Sequence, residues 1–208
     1  MGRLLTRARR LLDRALLPEA STGREQWQRV PLIHAVDRHL AQLGPSGLDA
    51  AEISGADHAD KPWKSYRSLD YPAFDLCAPL PQELTAAFDI VICEQVIEHV
   101  PDPAAAASNL RALVRPVGHV IVSTPFLIRV HELPEWGLKD YWRFTPRGLR
   151  TLLEQAGLVV TRVDSWGNRR VVMGNLDHWP AYRRWHSLRN ESDMPVQVWA
   201  FAQRHEPA

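Results

Sequence analysis

The run Phe88-Asp89-Ile90-Val91-Ile92-Cys93-Glu94-Gln95-Val96-Ile97-Glu98-His99-Val100-Pro101-Asp102-Pro103 passes from apolar to acidic and polar to a proline-led helix start. Continuous apolar character from Ile90 to Cys93 is the mark of a parallel strand buried on both faces. Pro103 suits the first turn of a helix, where a missing N–H costs nothing. In an open parallel sheet, ligands bind beyond the carboxyl ends of the strands. The polar residues that close this strand, Glu94 to His99, are therefore where chemistry is expected.

Working outward, the same alternation recurs on both sides. Downstream, the helix from residue 103 carries Ala104 to Ala107, Leu110 and Leu113 and stops before Pro116-Val117-Gly118; residues 119–123 follow as a strand. Residues 124–144 form a long irregular segment with Pro125, Pro134 and Gly137, and loops of this length in a compact domain are usually functional. Thr145 and Pro146 cap and open a helix that ends at Gly157. Residues 158–163 and 196–202 are strands. Upstream, residues 48–53 and 66–69 are strands, and residues 4–17 and 26–43 show helical apolar spacing. The order implies an α/β fold: an open, mostly parallel sheet with crossovers.

Composition narrows the function. The chain has 208 residues and a net charge of +1. That balance gives no electrostatic reason to expect nucleic-acid binding. The two cysteines, Cys77 and Cys93, form no CxxC pair, which argues against a zinc or disulfide scaffold and for a reducing, cytoplasmic setting. No apolar run reaches membrane-spanning length. Arg3, Arg7, Arg9, Arg10 and Arg14 interrupt the leucines of the first helix. This excludes a signal peptide and leaves an amphipathic basic helix that docks on the domain or on a second copy, as in a homodimer, or touches a membrane surface or a partner.

The 88–103 run resembles the fourth strand and following helix of class I S-adenosylmethionine-dependent methyltransferases. Leu113-Val114-Arg115-Pro116-Val117-Gly118-His119-Val120-Ile121-Val122-Ser123 resembles that family's Pro-Gly-Gly and strand-five signature, with Val117 in place of a Gly. Residues 143–158 resemble the helix before strand six. The resemblance implies a Rossmann-like sheet with helices on both faces and an antiparallel final strand. It implies one domain over residues 1–208, with residues 1–45 an N-terminal helical extension, residues 46–208 the catalytic core and residues 124–144 a substrate lid. It also implies S-adenosylmethionine as cofactor. Glu52, Ser54 and Gly55 stand where the family has an acid and Gly-x-Gly against the methionine end. Asp70 matches the ribose acid, Asp75 and Leu76 the adenine pair, and Glu94 completes the cofactor set.

Methyl transfer to a hydroxyl also needs the acceptor proton removed, by a base or with the help of a cation. His131 and His99 are the candidate bases. If residues 95–99 open a helix, Gln95, Glu98 and His99 share one face. With Asp140 they resemble the Mg²⁺ site of ubiquinone-biosynthesis and small-RNA O-methyltransferases. Glu132, Trp136, Asp140, Tyr141, Trp142 and Arg143 are candidate acceptor contacts. Aromatic rings beside charged groups suit a small polar acceptor, above all a saccharide, and the loop and tail look most like sugar 1-O-methyltransferases of mycobacterial methylmannose polysaccharide synthesis. The alternatives are a natural-product methyltransferase acting on a phenol or amine, and a catalytically silent relative.

Overall fold

The computed structural model describes residues 26–132, 134 and 137–205. The first expected helix and Trp136 lie outside the described residues. A 3-10 turn, Trp27–Arg29, leads into helix α1 (Val30–Leu43), so the second expected helix starts a turn later than its apolar spacing suggested. Strands β1 (Asp49–Ile53), β2 (Ser65–Leu69), β3 (Phe88–Glu94), β4 (Val114–Pro125), β5 (Leu158–Trp166) and β6 (Gln197–Arg204) form one sheet of order β2-β1-β3-β4-β6-β5. β1 lies parallel to β2 and β3, and β3 to β4; β6 inserts antiparallel between β4 and β5. This is the expected Rossmann-like sheet.

Strand alternation puts a core on each face. Ile90 and Ile92 pack with Leu32, Val36 and Leu40 of α1, while Val91 and Cys93 turn to the opposite core. There they meet Ala106 and Leu110 of α2 (Pro103–Leu113) and Leu149 and Leu153 of α3 (Pro146–Gln155). Both helices begin as their sequences prescribe. Asp102 accepts the Ala104 and Ala105 N–H groups at 3.0 Å, and Thr145 accepts Gly148 N–H at 3.0 Å. A further short helix, α4 (Arg169–Gly174), is capped by Asn168 and was not expected, since six residues carry too little periodicity to show. No helix among the described residues is long and apolar enough to cross a membrane.

The expected strand at 119–123 is longer, because β4 leaves α2 directly at Val114, where it pairs with Phe88. A tight corner at Val117-Gly118 accommodates this. A Cβ on Gly118 would fall 2.8 Å from the Arg115 carbonyl and 3.0 Å from that of Asp89, so only glycine fits. Val117 is half-exposed and sits at φ 59°, a left-handed conformation that disfavours a β-branched side chain. Val117→Gly should relieve this strain and stabilise the fold by about 1 kcal/mol. Thermal denaturation checks it: the variant should melt a few degrees higher, whereas Val117→Ala, which keeps a Cβ, should gain less.

Candidate active site

The tips of β1, β2 and β3 surround a cleft of about 270 Å³. Ser54, Asp75, Leu76, Gln95, His99 and Tyr141 all contribute to its wall, so four chain segments far apart in sequence meet there. Two strand tips leave their strands through left-handed residues that are not glycine, Ser54 at φ 50° and Gln95 at φ 57°. Such backbone is uncommon and collects at functional sites.

The tip of β1 is organised by Glu52. No helix joins β1 to β2; a short loop does, and the buried Glu52 carboxylate holds it. One carboxylate oxygen accepts Asp57 N–H and the other His58 N–H, each at 3.0 Å, and Tyr66 Oη donates to it at 2.7 Å. A Cβ on Gly55 would come within 2.9 Å of the same carboxylate, so the residue after Ser54 must be small. Glu52 thus braces the loop from beneath, and it is Ser54 that reaches the cleft. Asp70 ends β2 beside the cleft rather than in its wall, where Tyr71 stands; Ser68 Oγ lies 2.8 Å from its carboxylate. Asp75 is in the wall and accepts Cys77 N–H at 2.8 Å.

Glu94 faces the other side of the sheet. Its carboxylate meets His58 Nε2 and Arg29, each at 3.1 Å, and Arg29 also bonds Asp57 at 3.2 Å. Burial opposes ionisation of Glu94, but the His58 hydrogen bond and the charges of His58 and Arg29 hold its carboxyl below the ordinary value. Its partners place Glu94 in the support of the β1 loop. Arg29 and His58 were missed from the sequence, because neither falls in a motif and only the sheet order brings them together.

Residues 95–99 form a turn, not the helix opening that would set Gln95, Glu98 and His99 on one face. Gln95 has left-handed backbone, His99 N–H closes the turn onto Val96 O at 2.8 Å, and the helix waits for Pro103. The Gln95 amide points to Ser123 Oγ (3.1 Å) and Gln197 Oε1 (2.8 Å). Asp140 is spent elsewhere as well: Arg143 grips both its oxygens, and His131 N–H donates to it at 2.7 Å. Among the described residues the grouping that forms instead is Glu98, His99 and His131, with one carboxylate oxygen and two imidazole nitrogens within 4.8 Å of one another. The His99 and His131 rings meet edge to face at 5.0 Å. His99 Nδ1 lies 2.7 Å from the Lys139 carbonyl. A carbonyl can only accept, so Nδ1 carries the hydrogen and Nε2 keeps its lone pair in the neutral ring. That Nε2 is 3.8 Å from Glu98 Oε1.

The segment after β4 is fastened onto this turn. Tyr141 N–H (2.8 Å) and Trp142 N–H (3.2 Å) both donate to Glu98 O, and Trp142 Nε1 donates to Val100 O at 2.8 Å. Tyr141 lines the cleft and is about half-exposed, and Trp142 and Glu132 are exposed. Trp179, from the tail that the sequence suggested as completing the pocket or a dimer face, packs edge-on against His131 at 5.2 Å. Residues 19–163 match a family described as a methyltransferase domain. The chain belongs to that family. Its sheet is that of the Rossmann-like methyltransferase fold. The chain is 34% identical over 132 residues to the ubiquinone biosynthesis O-methyltransferase of Thiobacillus denitrificans, covering 52% of this chain and 55% of the relative. It is 30% identical over 172 residues to the protein of the same name from Chromobacterium violaceum, covering 64% and 72%. The chain spans about half the length of the first of these relatives. Its fold is similar to that of the Burkholderia thailandensis 1,6-didemethyltoxoflavin-N1-methyltransferase (TM-score 0.57, 15% identity, 85% of this chain and 79% of that one). It is also similar to the [4+2]-cyclase SpnF (TM-score 0.56, 13% identity, 92% and 87%).

Glu98 is fully buried, and among the described residues neither carboxylate oxygen has a hydrogen-bond partner. Burial pushes its carboxyl up to about 8. An unfolded glutamate titrates near ~4.3, so between about 4.3 and about 8 the folded enzyme holds a proton that the unfolded chain has lost. The stability this proton confers is full below that window and is lost as pH rises through the upper value. Glu98→Gln, which cannot ionise, should therefore gain in melting temperature over wild type on going from pH ~5 to pH ~9 in chelator. A difference that stays constant across that range would show Glu98 already charged in the fold.

Proposed function

We propose that this methyltransferase is an O-methyltransferase acting on a hydroxyl of a small molecule, with the Glu98, His99 and His131 cluster removing the acceptor proton. The observation that carries the proposal is the position of His99: it lines the cleft, its Nδ1 hydrogen is committed to Lys139 O, and its Nε2 lone pair is left to accept a proton. The matched relatives named as O-methyltransferases support the same reading. S-adenosylmethionine supplies a methyl group already activated on a sulfonium. The protein's own tasks are alignment, exclusion of water and proton removal. Ser54 admits close approach at the β1 tip, Asp75 and Leu76 offer a carboxylate and an adjacent backbone at the far wall, and Tyr141 covers the mouth. As the oxygen–methyl bond forms, His99 takes the hydroxyl proton. Burial lowers the pKa of His131, which keeps it neutral and limits the charge that would oppose a protonated His99.

A divalent cation is the second reading, favoured by the unpartnered oxygens of buried Glu98. Glu98, His99 and His131 would hold it, and it would lower the pKa of the acceptor hydroxyl. Two imidazoles and one carboxylate suit Mn²⁺, Fe²⁺ or Zn²⁺ better than the all-oxygen preference of Mg²⁺. The acceptor itself is better read as a phenol than as a saccharide. Sugar hydroxyls need polar side chains with spare hydrogen-bonding capacity, and Asp140 and Arg143 satisfy each other. What remains in the cleft wall is the half-exposed ring of Tyr141, which offers a stacking surface to a flat ring.

His99→Ala should lower turnover by roughly 10²–10⁴-fold while calorimetric affinity for S-adenosylhomocysteine stays within about threefold. Equal losses of both would make His99 a structural residue. Under the cation reading, chelator should abolish activity, Mn²⁺ should restore it better than Mg²⁺, and Mn²⁺ alone should raise the melting temperature; full activity in chelator leaves the histidine route. A panel of phenols and short saccharides with labelled cofactor decides the acceptor, and methylation of saccharides alone would reverse the choice made above.

A further inference from the structure

The chain's small net charge conceals a strong segregation. Residues 1–25 hold six arginines against three acids, and residues 169–190 hold five arginines against one acid, Asp177. The rest of the chain has fourteen basic residues against twenty acidic ones. All five arginines of the second segment, Arg169, Arg170, Arg183, Arg184 and Arg189, are exposed. The next acid, Glu191, turns its carboxylate onto the Arg169 N–H at 3.2 Å.

Four large apolar side chains exposed to water lie among these arginines: Met173 at 62%, Leu176 at 54%, Trp185 at 72% and Leu188 at 37%. They belong to one contiguous region, because α4 and the 180–189 segment are joined. Asn168 Nδ2 donates to Ser187 O (3.2 Å) and Arg189 O (3.0 Å), and Trp166 Nε1 donates to Leu188 O at 2.9 Å. The first described residues lie at the same place, since Gln26 bridges Ala181 and Trp27 N–H donates to Pro180 O at 2.8 Å.

We propose that this face is a docking surface for an anionic lipid bilayer. Arginines set around exposed leucine, methionine and tryptophan combine attraction to lipid headgroups with side chains that partition into the acyl boundary. The N-terminal segment does not suit as a cover for the patch, because it too is net basic and would be repelled. Like the patch, its leucines and arginines call for a negatively charged, apolar partner. Nucleic acid would satisfy the arginines but leave Met173, Leu176 and Leu188 without a role. The surface adjoins the active site, since Trp179 of the same segment packs against His131. It stands independently of the acceptor's identity.

The test is co-sedimentation of the full chain with vesicles of phosphatidylcholine alone and of an equimolar mixture with phosphatidylglycerol. Binding is expected to the mixed vesicles, to be absent with phosphatidylcholine alone, and to weaken in about 0.5 M salt. Each basic residue at such a surface contributes roughly fivefold to partitioning, so Arg183→Glu with Arg184→Glu should cost about 25-fold or more. Trp185→Ser should also weaken binding. In both variants unchanged affinity for S-adenosylhomocysteine shows that the fold is intact, and if Trp185→Ser fails that control the charge-reversal pair decides. The proposal is overturned by failure to bind mixed vesicles at low salt, by binding that ignores the charge reversal, by tighter binding to single-stranded RNA than to vesicles, or by a dimer that the same variants dissolve without any vesicle binding.

Discussion

The backbone carbonyl of Glu98 receives N–H groups from both Tyr141 and Trp142, and the geometry of the site depends on that junction. It ties the long segment after β4 to the turn after β3. Across it His131 stands beside His99, and Tyr141 walls the cleft. Three further hydrogen bonds strengthen the junction: Trp142 Nε1 to Val100 O, His99 Nδ1 to Lys139 O, and His131 N–H to the Asp140 carboxylate. Asp140 and Arg143, which look like free polar contacts in the sequence, are committed to this internal bracing.

A second constraint acts beneath β1. In a fold whose first crossover is a loop, the loop's backbone N–H groups need partners that a helix would have provided internally. Glu52 supplies them, and Tyr66 donates to the same carboxylate. Behind it, Glu94, His58 and Arg29 form a mostly buried charged layer that continues to Asp57. Breaking one member of such a layer leaves a buried charge uncompensated, which costs several times what an exposed ion pair contributes. The acids at the strand tips thus divide their labour: Glu52 and Glu94 hold the loop, and Asp75 faces the cleft.

The fold was legible because its cause is local and periodic. Ile90 to Cys93 must be buried on both faces, Asp102-Pro103 and Thr145-Pro146 must open helices, and Gly118 admits no side chain where β4 turns away from α2. Errors arose where tertiary contact overrode a local pattern. β4 begins at Val114 because Phe88 offers it a pairing partner. Residues 95–99 make a turn because the Gln95 amide is drawn to Ser123 and Gln197, the latter from a strand more than a hundred residues away.

The sequence by itself determined the sheet, its crossovers, the membership in a methyltransferase family and the strand tips at which chemistry gathers, since hydrophobic period, capping residues and glycine sterics all act within a few residues. Only the tertiary structure decided which polar side chains face the cleft and which brace it. His131 joined Glu98 and His99, Asp140 and Gln95 left them, and His58 and Arg29 emerged as partners of Glu94. The physical reason is that a side chain's role depends on what saturates its hydrogen bonds. For these residues the saturating groups come from other strands and loops, at separations that no local pattern encodes.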